Sequence, residues 1–192
     1  DVMVSATDDN AATSMETFSD ALTIDTTPPV STVHTLVTNN TTPMISGTVS
    51  DSNAIANLDV VVDGQTFTGV PVTGTSWSVT VGSALVDGLY DVVVTATDEA
   101  GNSAADSTTD ELEIETVAPV VTIENLTTLD NTPVLSGTVT DDNTVTIDVL
   151  VNGATYGALV TGSTWTANVA DVLADGVYDA TATATDGAGN VG

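Results

Sequence analysis

The chain contains no lysine, no arginine and no cysteine, and aromatic residues make up only 4% of its 192 positions. Each absence closes off a class of function. Phosphate, nucleotides and nucleic acid are normally held by Lys or Arg, so a nucleic-acid partner is excluded. Asp and Glu number 27, giving a formal net charge of -27, and an anionic membrane surface repels such a chain. No apolar run approaches the length of a membrane span, so no membrane insertion is expected. Without cysteine there is no disulfide framework. His34 is the only histidine. With no paired base it cannot complete a nucleophilic triad, and a structural zinc site fails on ligand count. Adjacent carboxylates such as Asp141 and Asp142 would serve glycoside hydrolysis only across a cleft. Such a cleft needs sugar-stacking aromatics, and both Trp fall on inward stripes. The expectation is that the chain is not an enzyme.

What is present is hydrophobic and repetitive. Apolar residues make up 41% of the chain, rich in Val, which argues for a folded core despite the charge. A chain this acidic either repels itself or recruits cations. TPMISGTVSD (42–51) recurs as TPVLSGTVTD (132–141), and LVDGLYDVVVTATDEAGN (85–102) recurs as LADGVYDATATATDGAGN (173–190). The second spacing is two residues shorter, so one loop between Asn53 and Trp77 has contracted. A partial third copy opens the chain: DVMVSATDD matches 91–99, and ALTIDTTPPV (21–30) matches ELEIETVAPV (111–120). Fixed-period self-similarity of this kind marks a repeat array. The expected division is the last strands of a preceding repeat in 1–26, a complete repeat in 27–116, and a repeat without its last strand in 117–192. With no initiator Met and no leader segment, the chain reads as a window on a longer array.

Each repeat reads as short strands. Leu58, Val60 and Val62 share one face. Val92, Val94 and Ala96 point inward, while Asp91, Val93, Thr95 and Thr97 point outward. Trp77, Val79 and Val81 form a further inward stripe, repeated as Trp165, Ala167 and Val169. This is period-2 patterning, and nothing has helical period. Asp63-Gly64 and Asn152-Gly153 are tight-turn dipeptides, as are Asp87-Gly88 and Asp175-Gly176. Pro28, Pro29, Pro43, Pro119 and Pro133 fall at strand starts or edges. Roughly seven short strands in about 90 residues predict an all-β fold of tandem immunoglobulin-like sandwiches in Greek-key topology. Tyr90 and Tyr178 stand where such sandwiches carry a corner tyrosine.

The string TP-x-x-SGTV-x-D, then V-x-VDG, SWSV and L-x-DG-x-YDV-x-VTATD-x-AGN, resembles the bacterial Ig-like repeats of giant surface adhesins and biofilm proteins. The likeness covers nearly the whole chain and occurs twice in order. It implies an extended extracellular array that holds an adhesive region away from the cell surface. It also implies calcium at the repeat junctions. In an Ig-like topology the start of the first strand, the B–C loop and the F–G loop meet at one end of the sandwich. At the first junction that gathers Asp25, Asp51, Asn53, Asp98, Glu99 and Asn102. At the second it gathers Glu115, Asp141, Asp142, Asn143 and Asp186. Ca²⁺ takes six to eight hard oxygen ligands, and these are all oxygen donors. The alternative is that the same residues make Asx turns.

Three functional readings follow. The first is a mechanical spacer, stiffened by calcium, whose partners are the neighbouring repeats. The second is a glycan- or protein-binding adhesin module, for which neither repeat offers a distinctive patch. The third is a filament subunit, in which an N-terminal strand near residues 14–25 completes the last sandwich of an identical chain by β-augmentation. The Thr181, Thr183, Thr185 run has the spacing of ice-binding surfaces, but outward Thr on a strand is ordinary β-propensity. Asn39, Asn40 and Asn125 match glycosylation sequons.

Overall fold

A computed structural model describes residues 2–19, 22–106 and 108–192. The described residues form strands and no helix. An N-terminal hairpin pairs β1 (Val2–Thr7) with β2 (Thr13–Phe18). Val2, Met3, Val4 and Met15 are all exposed on it. A two-stranded ribbon with nothing packed on its faces is marginally stable by itself.

The first sandwich follows. Its strands are β3 (Val30–Val33), β4 (Leu36–Thr38), β5 (Met44–Ser50), β6 (Ile55–Val62), β7 (Gln65–Phe67), β8 (Val72–Thr73), β9 (Ser76–Thr80), β10 (Gly88–Tyr90), β11 (Val92–Asp98), β12 (Ser103–Ala105) and β13 (Leu112–Ile114). They assemble as sheets β3-β5-β9-β8, β12-β11-β6-β7 and β10-β13-β4. The inward stripes close the core: Leu58, Val60, Val62, Val92, Val94 and Ala96 pack on Ile45, Val49 and Trp77, all nearly inaccessible to solvent. Each such side chain contributes about 1.5–3 kcal/mol by leaving water. Val93, on the opposite face of β11, stays exposed, as the alternation requires.

The second sandwich runs through β14 (Val120–Val121), β15 (Val134–Thr140), β16 (Thr146–Val151), β17 (Ala154–Gly157), β18 (Leu159–Thr161), β19 (Thr164–Asn168) and β20 (Ala180–Thr185). Its sheets are β14-β15-β19-β18 and β17-β16-β20. Its core is built from Val139, Ile147, Val149, Val151, Trp165, Ala167, Val169 and Ala184.

Local chemistry explains the corners. Asp63 and Gly64 sit at φ 47° and 72°, and Asn152 and Gly153 at 48° and 82°. These are the paired positive dihedrals of a type I′ hairpin turn. The Tyr90 hydroxyl donates to the Val86 carbonyl at 2.8 Å, and Tyr178 donates to Ala174 at 3.0 Å, pinning the turn into β11 and its counterpart. A Cβ on Gly47 would lie 1.9 Å from the Thr32 carbonyl oxygen and 2.6 Å from the Trp77 ring. Gly137 meets the same pair, Thr122 and Trp165. In both repeats the SGTV glycine makes room for the tryptophan.

The first sandwich contains more strands than the expected seven. Its first and last strands each break in two and change sheet, as corner strands of sandwiches do. β3 pairs antiparallel with β5, whereas β4 pairs in parallel with β13. The last strand divides into β12, on β11, and β13, between β10 and β4.

Candidate metal centre

Asx turns organise the junction loops. At the first junction Asp51 Oδ1 accepts the backbone N–H of Asn53 at 2.8 Å. Asp98 Oδ1 accepts the backbone N–H of Asn102 at 2.8 Å, and Asp98 Oδ2 accepts its side-chain amide at 2.9 Å. That amide also donates to the Asp25 carbonyl at 3.2 Å, and the Asn53 amide donates to Asp25 Oδ2. Two asparagines thus tie the incoming chain to the two loops at the end of the sandwich. The result is that Asp25, Asp51 and Asp98 each bring a carboxylate oxygen within 4.8 Å of the others. No other group of three metal-ligating side chains is so close among the described residues. Asp98 is only 2% exposed. The Asn102 amide holds its carboxyl below the usual aspartate value against the opposing pull of burial, helped by backbone N–H groups of Asn102, Gly101 and Ala100. Glu99 stands outside this group: it is exposed, and its backbone N–H donates to the Ala54 carbonyl.

The second junction repeats the frame with one change. Asp186 accepts the backbone N–H and the amide of Asn190, both at 2.8 Å. The same amide reaches the Glu115 carbonyl at 3.0 Å and Glu115 Oε2 at 2.7 Å. Burial first, then the neighbouring Asp186 carboxyl, raise the Glu115 pKa above the usual glutamate value. Burial works against ionisation of Asp186 as well. The Asn190 amide, backbone N–H groups and the Glu115 carboxyl outweigh it, so Asp186 titrates below the ordinary range. Asp141 caps its own loop through Asn143, but the Asn143 amide turns to Glu113 Oε1 at 3.2 Å, not to Glu115. Asp142 is exposed. A cleft of about 1030 Å³ opens here, lined by Asp87, Glu113 and Glu115 from one sandwich and Asp141 and Asp142 from the next.

Three residues of the second junction lie outside the sequence expectation. Asn190 was legible, since it stands to Asp186 as Asn102 stands to Asp98. Glu113 was not, because its counterpart Thr23 carries no carboxylate. Asp87, expected only to make a turn, also accepts the Thr116 hydroxyl at 2.8 Å. His34 is exposed, with Nδ1 3.4 Å from the Ser46 hydroxyl. It takes no part in either junction.

Two all-β sandwiches joined in series through acidic loops, in a chain without a single Lys or Arg, define a tandem Ig-like repeat protein. The chain belongs to the bacterial Ig-like domain family, which matches residues 31–116 and 121–192. Among solved structures it is similar to the fibronectin(III)-like modules of Clostridium thermocellum CbhA. There the TM-score is 0.52 and the identity 12%, over 84% of this chain and 88% of that one; at that identity the likeness concerns the fold alone. It is also similar to a Ca²⁺-stabilized adhesin with which an Antarctic bacterium reaches out and binds ice (30% identity, TM-score 0.40, 98% of this chain). A third is a tetra-tandem repeat from the extending region of a large adhesion protein (27% identity, TM-score 0.41, 98% of this chain). The chain spans 53% of the length of each of these two. No curated protein sequence matches it.

Proposed function

We propose that this chain is a non-enzymatic extender segment of an extracellular bacterial surface protein, in which repeats bounded at 27–116 and 117–192 are locked in line by calcium at their junctions. The observation that carries this reading is the meeting of Asp25, Asp51 and Asp98 within 4.8 Å. Asp25 arrives from the segment before the sandwich, while Asp51 and Asp98 belong to its loops. A cation held by all three therefore fixes how one repeat continues into the next. No Lys or Arg exists anywhere in the chain to neutralise the group. The donors are hard oxygens, with Asn53, Asn102 and the Asp25 carbonyl at hand to extend the set, which suits Ca²⁺. Glu115, Asp141, Asn143 and Asp186 would provide the second site, and Asp142 and Glu99 would stay peripheral. Each sandwich adds about 40 Å of reach, taking strands at 3.3 Å per residue plus loops.

Small-angle scattering across a calcium titration, with chelator as the zero point, tests the reading. The maximum dimension should grow and the profile should become that of a rod as calcium is added. In Asp98→Asn the first-junction part of that response should disappear. A profile indifferent to calcium would leave the acidic loops as solvated turns and overturn the proposal.

A further inference from the structure

The carboxylates are spread unevenly over the two sandwiches. In the sheet β3-β5-β9-β8 the alternation turns Ile45, Gly47, Val49 and Trp77 inward. The residues between them, Ser46, Thr48, Ser76 and Ser78, face away from the core, with Thr32 beside Thr48 and Thr80 beside Met44. No carboxylate stands on this outer face. The matching sheet β14-β15-β19-β18 repeats it with Thr122, Ser136, Thr138, Thr164, Thr166 and Asn168. The hydroxyl contact of Thr32 with Thr48 at 2.7 Å recurs as Thr122 with Thr138 at 2.6 Å. Exposed apolar side chains recur at the ends of these faces as well, Val30 and Met44 on the first, Val120 and Val134 on the second. The opposite sheets differ, for each carries an aspartate in mid-face: Asp59 opposite Thr95, and Asp148 opposite Thr183.

One position breaks the repetition. The backbone N–H groups of His34 and Glu124 donate to the carbonyls of Ser46 and Ser136, both at 2.9 Å, so the two residues occupy the same place on the two faces. One is the only histidine of the chain, and the other is the sole carboxylate on either face. Ser46 Oγ lies 3.4 Å from Nδ1 of the ring, and Ser136 donates to Oε2 of the carboxylate at 2.9 Å. Nε2 and Oε1 are left for a further partner. An imidazole N–H donates to a carboxylate whether or not the ring is charged.

We infer that these outer faces dock a second copy of this chain, the face of the first sandwich seating on the face of the second with strands antiparallel. Charge selects them: with 27 acidic residues and no Lys or Arg, two copies repel wherever carboxylates meet. Hydroxyls donate and accept alike, so two such faces satisfy one another. Turning one face over onto the other in this way lays edge strand on edge strand, β3 over β14. His34 and Glu124 stand level with Ser46 and Ser136, each one residue from the middle of its strand. Reversal therefore brings them within about two residues, ~7 Å along the strand, which the two side chains can span. Four strands about 4.8 Å apart and about 17 Å long present about 300 Å² per face. A two-fold pair makes the contact twice and buries about 1,200 Å² in all, the low end of specific interfaces. Association is therefore weak and concentration-dependent.

Sedimentation velocity of the 192-residue chain, over a concentration series to about 1 mM in chelator and raised salt, tests this. Chelator removes the junction cations from the result, and salt screens the like charge of the copies. A monomer–dimer equilibrium is expected. Ser78→Asp and, separately, Thr166→Asp each place a carboxylate on one docking face and should weaken the dimer about tenfold or more. Val93→Asp places the same charge on the opposite sheet and should leave the dimer unchanged. His34→Glu should weaken it, and Glu124→His added to His34→Glu should restore it. Melts at low concentration identify the variants that fold. A wild-type chain that stays monomeric, folded face variants that dimerise as tightly as wild type, or a charge exchange without rescue would overturn the inference.

Discussion

Replacing Gly47 by Ala adds one methyl group and should unfold the first sandwich well before the second. The added Cβ falls 1.9 Å from the Thr32 carbonyl oxygen, where about 3.0 Å is the least that real contacts tolerate, and 2.6 Å from the Trp77 ring. Relief requires β3 to move off β5 by roughly an ångström and the indole to leave its place over the glycine. Overpacking of this kind costs about 1–3 kcal/mol. Losing one or two ladder bonds next to the site, such as His34 N–H to Ser46 at 2.9 Å, adds about 0.5–1.5 kcal/mol each. The total is roughly 1.5–6 kcal/mol, equivalent to a fall of about 6–48 °C for a domain of this size. Each sandwich contains one tryptophan, Trp77 or Trp165, so fluorescence melts of Trp165→Phe chains follow the first sandwich alone. A Gly47→Ala chain that melts with the wild type would refute the close-approach argument for this position and for Gly137 alike.

Acid should act with opposite sign on the two kinds of junction carboxyl. The folded pKa of Asp98 is depressed, so its contribution is present above the unfolded value and disappears as pH falls through the folded one. Asn102→Ala should therefore lower the melting temperature at neutral pH and converge with wild type in acid, as a pH series of melts would reveal; an equal deficit at every pH would refute it. Glu115 has a raised folded pKa, so its contribution is full below the unfolded value and is lost as pH rises through the folded one. Glu115→Gln should consequently melt higher than wild type at neutral pH in chelator, and gain less from added calcium; an unchanged melt in chelator would count against the Glu115–Asp186 repulsion. Leu112→Ala should destabilise the first sandwich by about 2–5 kcal/mol, as for other fully buried leucines; a melt unchanged from wild type would mean that the Leu112–Ile114 strand does not close the core.

Much of this was legible because strands with one face in water write their burial into the sequence. The stripes Leu58-Val60-Val62 and Val92-Val94-Ala96 name the core directly, and Asp63-Gly64 names its turn. The division of the first and last strands into β3, β4, β12 and β13 was not legible. It depends on which sheet each half joins, a choice made by partners far away in the chain. At the first junction the gathering of Asp25, Asp51 and Asp98 was legible from the repeat, but the pairing of amides with carboxylates was not. Asn53 and Asn143 occupy the same place in the repeat and turn to different acids.

That divergence accompanies two differences between the junctions: a methylene, Asp25 against Glu115, and a carboxylate, Thr23 against Glu113. Asp25 at the first junction has its counterpart in Glu115 at the second. The shorter side chain stays beside Asp51 and Asp98, held by the Asn53 amide, and the three carboxylates close into one group. The longer one folds back on the Asn190 amide and Asp186, where burial and like charge raise its pKa, and the Asn143 amide is left to Glu113. The first junction therefore presents three carboxylates already gathered, and the second presents a pair with Asp141 standing apart. A cation entering the second must draw Glu115 and Asp141 together, and at acidic pH it must also displace a proton from Glu115. Two junctions built from one repeat should thus fill in order along the chain, the first at the lower calcium concentration and the second at the higher, with the gap between them widening as the pH falls.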